Sequence, residues 1–128
     1  MPLILATCAL GACGGEDKAD VEQVIRGWAK AANERDAKAF CNDFVTQEFA
    51  ERVSGATGDN AREQCEKLFE ATQPGLRITI LDVSKIKVDG DEATALVRRQ
   101  TTGSGAGDQV FRLKKEDGEF RIASSEEG

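Results

Sequence analysis

Four cysteines and one strand aspartate are the residues of this 128-residue chain best suited to chemistry. The thiols of Cys8, Cys13, Cys41 and Cys65 can be acylated, bridged or kept reactive. Four cysteines allow three disulfide pairings. A zinc site fits poorly, because its shell takes four ligands and no histidine is present to join a cysteine pair. Asp82 stands in the alternating run LRITILDVSKIKV, where Leu76, Ile78, Ile80, Asp82, Ser84, Ile86 and Val88 share one strand face. A carboxylate buried among isoleucines can serve as a general base. The plainer expectation is a bulge in this long strand, turning Asp82 outward and Leu81 or Val83 inward. One hairpin register also sets Asp82 opposite Arg99 as a structural ion pair. The chain has neither histidine nor tyrosine, which removes histidine bases and tyrosine acids from the inventory.

The first thirteen residues, MPLILATCALGAC, carry no charged side chain, and the charge pattern begins at Glu16-Asp17-Lys18. As a helix, the twelve residues before Cys13 would span roughly 18 Å, short of the ~30 Å hydrocarbon core. An apolar stretch of this length ending in small residues suits a secretory signal, although the Lys or Arg that usually opens one is missing. Leu10-Gly11-Ala12-Cys13 resembles the bacterial lipobox. In proteins carrying that motif the signal is cut just before the cysteine, whose thiol takes a diacylglycerol. The resemblance implies a signal peptide over 1–12 and a lipidated Cys13 with a short tether over 13–17; a folded domain over 18–124 and an acidic tail over 125–128 are expected to follow. It also implies a membrane partner and a location on the outer face of a bacterial cell membrane, since two or more acyl chains anchor firmly. With Cys8 removed and Cys13 acylated, Cys41 and Cys65 remain. An oxidising compartment favours bridging them; two free core thiols or one reactive thiol are the alternatives.

Composition narrows the remaining choices. Seventeen basic against 23 acidic residues leave a net charge of −6, which argues against a nucleic-acid partner. The length suits one domain.

Residues 18–33 carry Val21, Val24, Ile25, Trp28 and Ala32 at helical spacing, with Asp17 or Asp20 as cap. Asp36 can cap a short helix holding Phe40, Cys41 and Phe44. Thr46 can start a further turn with Phe49 and Val53. Asn60-Ala61-Arg62-Glu63 has capping-box spacing and opens a helix with Cys65, Leu68, Phe69 and Thr72 on one side, ended by Pro74-Gly75. From Leu76 the period becomes two. Strands are predicted over 76–88, 93–102, 109–115 and 120–124. Asp89-Gly90-Asp91 and Asp117-Gly118 supply tight turns, and 103–107 a flexible loop. The second turn sets Lys115 opposite Phe120 and Leu113 opposite Ile122. The order is α+β: three N-terminal helices packed on one face of a curved, four-stranded antiparallel sheet.

This layout resembles the nuclear transport factor 2-like superfamily, the cystatin-like α+β cone, and within it small bacterial lipoproteins with a cysteine in each of two helices. Val21 to Trp28 followed by Asp36 to Phe40 resembles the opening helix pair. Val88 to Ala95 resembles the recurrent hairpin. Leu113 to Ile122 resembles the closing hairpin, with Phe120 where tryptophan is usual. The resemblance implies a sheet wrapping a long helix around an apolar pocket. Its isomerases and cyclases use Asp with Tyr or His there, a pattern that this chain cannot supply.

Trp28, Phe40, Phe44, Phe69 and Ile80 are the expected core, and the lining of any pocket. Thr102 to Asp108 joins two strands and so lacks the helix N-terminus that a phosphate loop requires. Arg98-Arg99 and Lys114-Lys115 read as solvated strand faces. The expectation is a lipid-anchored, non-catalytic domain that binds a small apolar ligand or a protein partner, without cofactor or metal. The competing expectation is an isomerase- or cyclase-like enzyme using Asp82. Homodimerisation through the sheet is a further option.

Overall fold

The computed structural model describes residues 13–71, 75, 77–103 and 105–127. Four helices precede four strands: α1 Cys13–Asn33, α2 Ala37–Asn42, α3 Gln47–Ser54, α4 Asp59–Glu70, β1 Ile78–Asp89, β2 Glu92–Thr101, β3 Gly105–Glu116 and β4 Glu119–Glu127.

The helix boundaries follow from local chemistry. Helix α1 buries Val21, Ile25, Trp28, Ala29 and Ala32 along one stripe. It begins at Cys13 rather than Lys18, so residues 14–17, expected as a tether, form its first turns. Asp17 and Asp20 therefore lie inside the helix and not at its cap. At Gly27 an added Cβ would stand 2.5 Å from Cε1 of Phe44, so the α1 backbone lies close against that ring. Asp36 caps α2, its carboxylate accepting from the Ala39 amide at 3.1 Å. Thr46 caps α3 by accepting from the Phe49 amide at 3.1 Å, and Gly55 closes that helix in the left-handed region at φ 76°. The predicted single turn at Thr46 is thus a full helix, and the expected three helices are four. Helix α4 starts at Asp59 after Gly58, without a side-chain cap, one residue ahead of the predicted capping box. It ends at Glu70; Thr72, Pro74 and Leu76 lie outside the described residues, as does the expected 1–12 signal.

The strands form one antiparallel meander in the order β1-β2-β3-β4. In the Asp117-Gly118 turn both residues have positive φ, 57° and 82°, the backbone that a two-residue hairpin loop needs. Lys115 pairs with Phe120 and Leu113 with Ile122, as predicted. The glycine-rich segment, in contrast, is not a loop from 103 to 107. Gly105, Ala106, Gly107 and Asp108 pair with Thr101, Gln100, Arg99 and Arg98. Strand β4 runs to Glu127, so residues 125–127, expected as a tail, belong to the sheet.

Strand β1 carries two register shifts, between Ile80 and Asp82 and between Ser84 and Lys87. Each inserts one residue and reverses which face the next side chains take. The inner face therefore reads Ile78, Ile80, Val83, Ile86, Val88, all packed on the core. The two inversions cancel. Lys85 takes the strain of the second shift at φ 51°.

The core lies between the helices and the inner sheet face. Trp28 is its centre, meeting Phe40 at 5.5 Å between ring centroids and Phe111 edge-on at 5.6 Å, while Phe40 stacks on Phe69 at 4.5 Å. Phe111, Leu113, Phe120 and Ile122 close it from β3 and β4.

Candidate functional site

The inner face of β2 runs Ala93, Ala95, Val97 and then Arg99 and Thr101. The first three are buried. Across the ladder, β3 supplies Leu113, Phe111, Gln109, Gly107 and Gly105 on the same face. Directly opposed residues share a face in an antiparallel pair, so Arg99 stands beside Gly107, Thr101 beside Gly105, and Gln109 between Val97 and Glu127. At this end the face changes from apolar to polar. Its glycines leave room: a Cβ built at Gly105 or Gly107 meets nothing within 4 Å. The result is a cleft of about 300 Å³ lined by Arg99, Thr101, residues 105–108, Gln109 and Glu127.

The cleft contains unspent polar capacity. Arg99 is half-buried, with its guanidinium carbon 5.9 Å from the centroid of the Trp28 ring. Burial pulls its pKa below the usual arginine value, yet a guanidinium stays charged in a protein. Among the described residues no carboxylate comes within ion-pair distance of it. Asp108 is held instead by Arg98 at 3.4 Å. Glu127 is exposed and also makes no ion pair among the described residues. Two buried atoms nearby have no hydrogen-bond partner among the described residues: Oε1 of Gln109, which lines the cleft, and Nε1 of Trp28, whose ring lies under Arg99. Leaving such a group unmade costs about 1–3 kcal/mol. Native proteins hold few of them, and they concentrate where something else supplies the bond.

The predicted pocket residues do not all line one cleft. Trp28 is core with its ring under Arg99. Phe40 and Phe69 line a separate apolar cleft of about 200 Å³ with Ala32, Arg35, Val53, Cys65, Leu68 and Ile78. Ile80 lines a groove between α1 and the start of β1, and Phe44 one beside Asp43 and Phe120. Asp82 is exposed, follows the first bulge, and pairs across the ladder with Arg98 rather than Arg99. The bulge turns it outward as expected, but Leu81 is exposed too, and only Val83 turns inward. Asp82 lines none of the four clefts described here. The isomerase-like expectation needed that carboxylate inside a pocket.

Cys41 and Cys65 form a disulfide between α2 and α4, with Cα atoms 6.0 Å apart and both side chains buried. Cys13 is the first residue of α1; Cys8 lies outside the described residues. Among the described residues no helix is long and apolar enough to cross a membrane, and no group of three or more His, Cys, Asp or Glu gathers to hold a metal.

Sequence reasoning missed Arg99 because the pair Arg98-Arg99 looks uniformly solvated. The available signal was alternation: Ala93, Ala95 and Val97 face inward, so Arg99 must too, opposite glycines spaced two apart at 105 and 107.

Solved structures match this architecture. A protein of unknown function from Mycobacterium tuberculosis is 22% identical, with 84% of this chain and 68% of that chain covered and a TM-score of 0.61. A domain of unknown function with a cystatin-like fold from Nostoc punctiforme is 16% identical over 86% of this chain and 75% of that chain, TM-score 0.60. An NTF-2-like protein of unknown function from Shewanella oneidensis is 16% identical over 84% and 94%, TM-score 0.54. No protein-family model and no curated protein matches the sequence. The chain has the nuclear transport factor 2-like, cystatin-like fold.

Proposed function

We propose that this protein is a lipid-anchored, extracytoplasmic binding domain without catalysis, which takes a small polar ligand into the cleft between Arg99 and Glu127. The observation that carries the reading is the unpaired, half-buried Arg99 lying over Trp28 beside a glycine-lined space. An arginine without a carboxylate partner, in a fold that buries its charge, is poised for an anion from outside. For this cleft the expectation of a purely apolar ligand gives way to one with a charged head, because Arg99, Thr101, Gln109 and Glu127 line it.

Trp28 is the chain's one tryptophan, so its fluorescence reports the site. A library of small charged metabolites titrated against the protein should yield at least one saturable change in emission. That change should be lost in Arg99→Met. Absence of any response, with no ligand-dependent shift in Tm, would overturn the reading.

A further inference from the structure

The cleft holds two opposite charges that do not meet each other. Arg99 on β2, opposite Gly107, and Glu127 on β4, opposite Gln109, face the same space. Neither forms an ion pair with any described residue. Asp108, the other acid of the rim, is occupied by Arg98. A ligand carrying only negative charge would meet Arg99 but be repelled by Glu127, and one carrying only positive charge would meet the reverse. A ligand with one of each satisfies both.

The hydrogen-bonding inventory has the same division. Gln109 Oε1, in the cleft lining, is an acceptor and lacks a donor among the described residues; Trp28 Nε1, in the ring that Arg99 covers, is a donor and lacks an acceptor among them. Thr101 contributes a hydroxyl that does either. The volume, about 300 Å³, is at the lower end of small-molecule sites. It suits a ligand of few heavy atoms rather than a peptide or lipid. The missing side chains at Gly105 and Gly107 let that ligand lie against the β3 backbone.

We infer that the ligand is a small amino carboxylate, a zwitterion whose carboxylate engages Arg99 and whose ammonium engages Glu127 and Gln109. This inference rests on the reading of the cleft as a binding site and adds the chemical class. The planar guanidinium fork favours the carboxylate through two parallel hydrogen bonds.

The test is a titration of the full chain, followed by Trp28 fluorescence and calorimetry. The probes are glycine, β-alanine and 4-aminobutyrate, which space the two charges progressively, with butyrate and butylamine as single-charge controls. One amino carboxylate should bind at least about tenfold more tightly than both controls, the factor that a lost charge-assisted contact of roughly 1.4 kcal/mol gives. Glu127→Gln should erase the preference over butyrate while leaving butyrate binding intact. Gly107→Val should weaken every probe, and it keeps the test valid if an Arg99 variant fails to fold. Equal binding of butyrate or butylamine, or an unchanged preference in Glu127→Gln, would overturn the zwitterion and leave the binding site standing. Response to other charged metabolites but to none of these probes would overturn the class alone. Silence from every probe and from the wider library would overturn the binding reading as well.

Discussion

Arg99 and Trp28 form one stacked unit, the guanidinium carbon 5.9 Å from the ring centroid, with the other contacts of the indole made to Phe40 and Phe111. Arg99, which lines the cleft, thus rests on Trp28, the centre of the core. A perturbation of the cleft must be felt in the interior. This coupling explains why a small ligand could report itself through a buried fluorophore. It also means that Arg99 carries structural weight besides any role in binding.

Arg99→Ala is therefore expected to cost about 0.5–1 kcal/mol of stability, the range of a partly exposed cation–π contact. Removing the cover should let water reach the indole and shift its emission to longer wavelength. Urea denaturation followed by fluorescence and by circular dichroism measures both effects. An unchanged emission maximum would show that Arg99 does not shield Trp28.

Arg62 ties α4 to both the α2–α3 connection and the sheet. Its guanidinium donates to the carbonyl of Cys41 at 2.7 Å, to that of Val45 at 3.3 Å and to Glu116 at 3.0 Å. Glu116 in turn accepts from the Gln47 amide at 2.9 Å. Arg62→Ala removes a donor from each of these acceptors, although Glu116 keeps the Gln47 amide and Arg121, and a loss of about 2–3 kcal/mol is expected, below the range for a fully buried pair because both side chains keep some water contact. Glu116→Gln keeps the shape and should cost less. A double-mutant cycle in urea gives the coupling; a value near zero would reduce Arg62 to a surface residue.

The parts of this fold that were legible in the sequence are those set by local period and turn chemistry. The α1 stripe, the Asp117-Gly118 hairpin register and the pairing of Cys41 with Cys65 all follow from residues near one another or from exclusion of the other cysteines. The α3 helix exceeds the expected single turn because Thr46 and Gly55 cap both of its ends; its eight residues are short for a periodic signal and bury only Ala50 completely. The glycine-rich strand was missed for a similar reason. Gly105 and Gly107 have low strand propensity, and only the partner residues Arg99 and Thr101 hold them in the ladder. The site itself was invisible because its defining feature is relational. No single residue marks Arg99 as unpaired; the positions of Asp108 and Glu127 do, and these depend on the register of three strands.

The Cys41–Cys65 bridge closes a separation of 24 residues. Chain-entropy reasoning assigns such a loop about 3–4 kcal/mol of stabilisation. The double substitution Cys41→Ala with Cys65→Ala should lower the urea midpoint accordingly, and a reducing agent should do the same to the unsubstituted protein. Both cysteines are buried, so reduction should be slow unless the protein is first unfolded. Alkylation of two free thiols in the native, non-reduced protein would refute the bridge.

Cys13 begins α1 directly, and that helix runs 21 residues without interruption to Asn33. Acylation at Cys13, which the Leu10-Gly11-Ala12-Cys13 motif suggests, would therefore join the lipid to a helix rather than to a slack linker. The domain would be held close to the bilayer, with the acidic residues Glu16, Asp17 and Asp20 nearest the surface. Two acyl chains anchor firmly, whereas a single chain does so only marginally. Expressed in a bacterial host with its own lipoprotein machinery, the protein should fractionate with membranes and resist extraction by high salt. Cys13→Ser should move it to the soluble fraction without altering its Tm, because the substitution lies at the first residue of α1. Retention of the serine variant in the membrane fraction would defeat the anchor. Release of both forms by salt would point to electrostatic attachment, which an acidic chain has little means to make to an anionic surface.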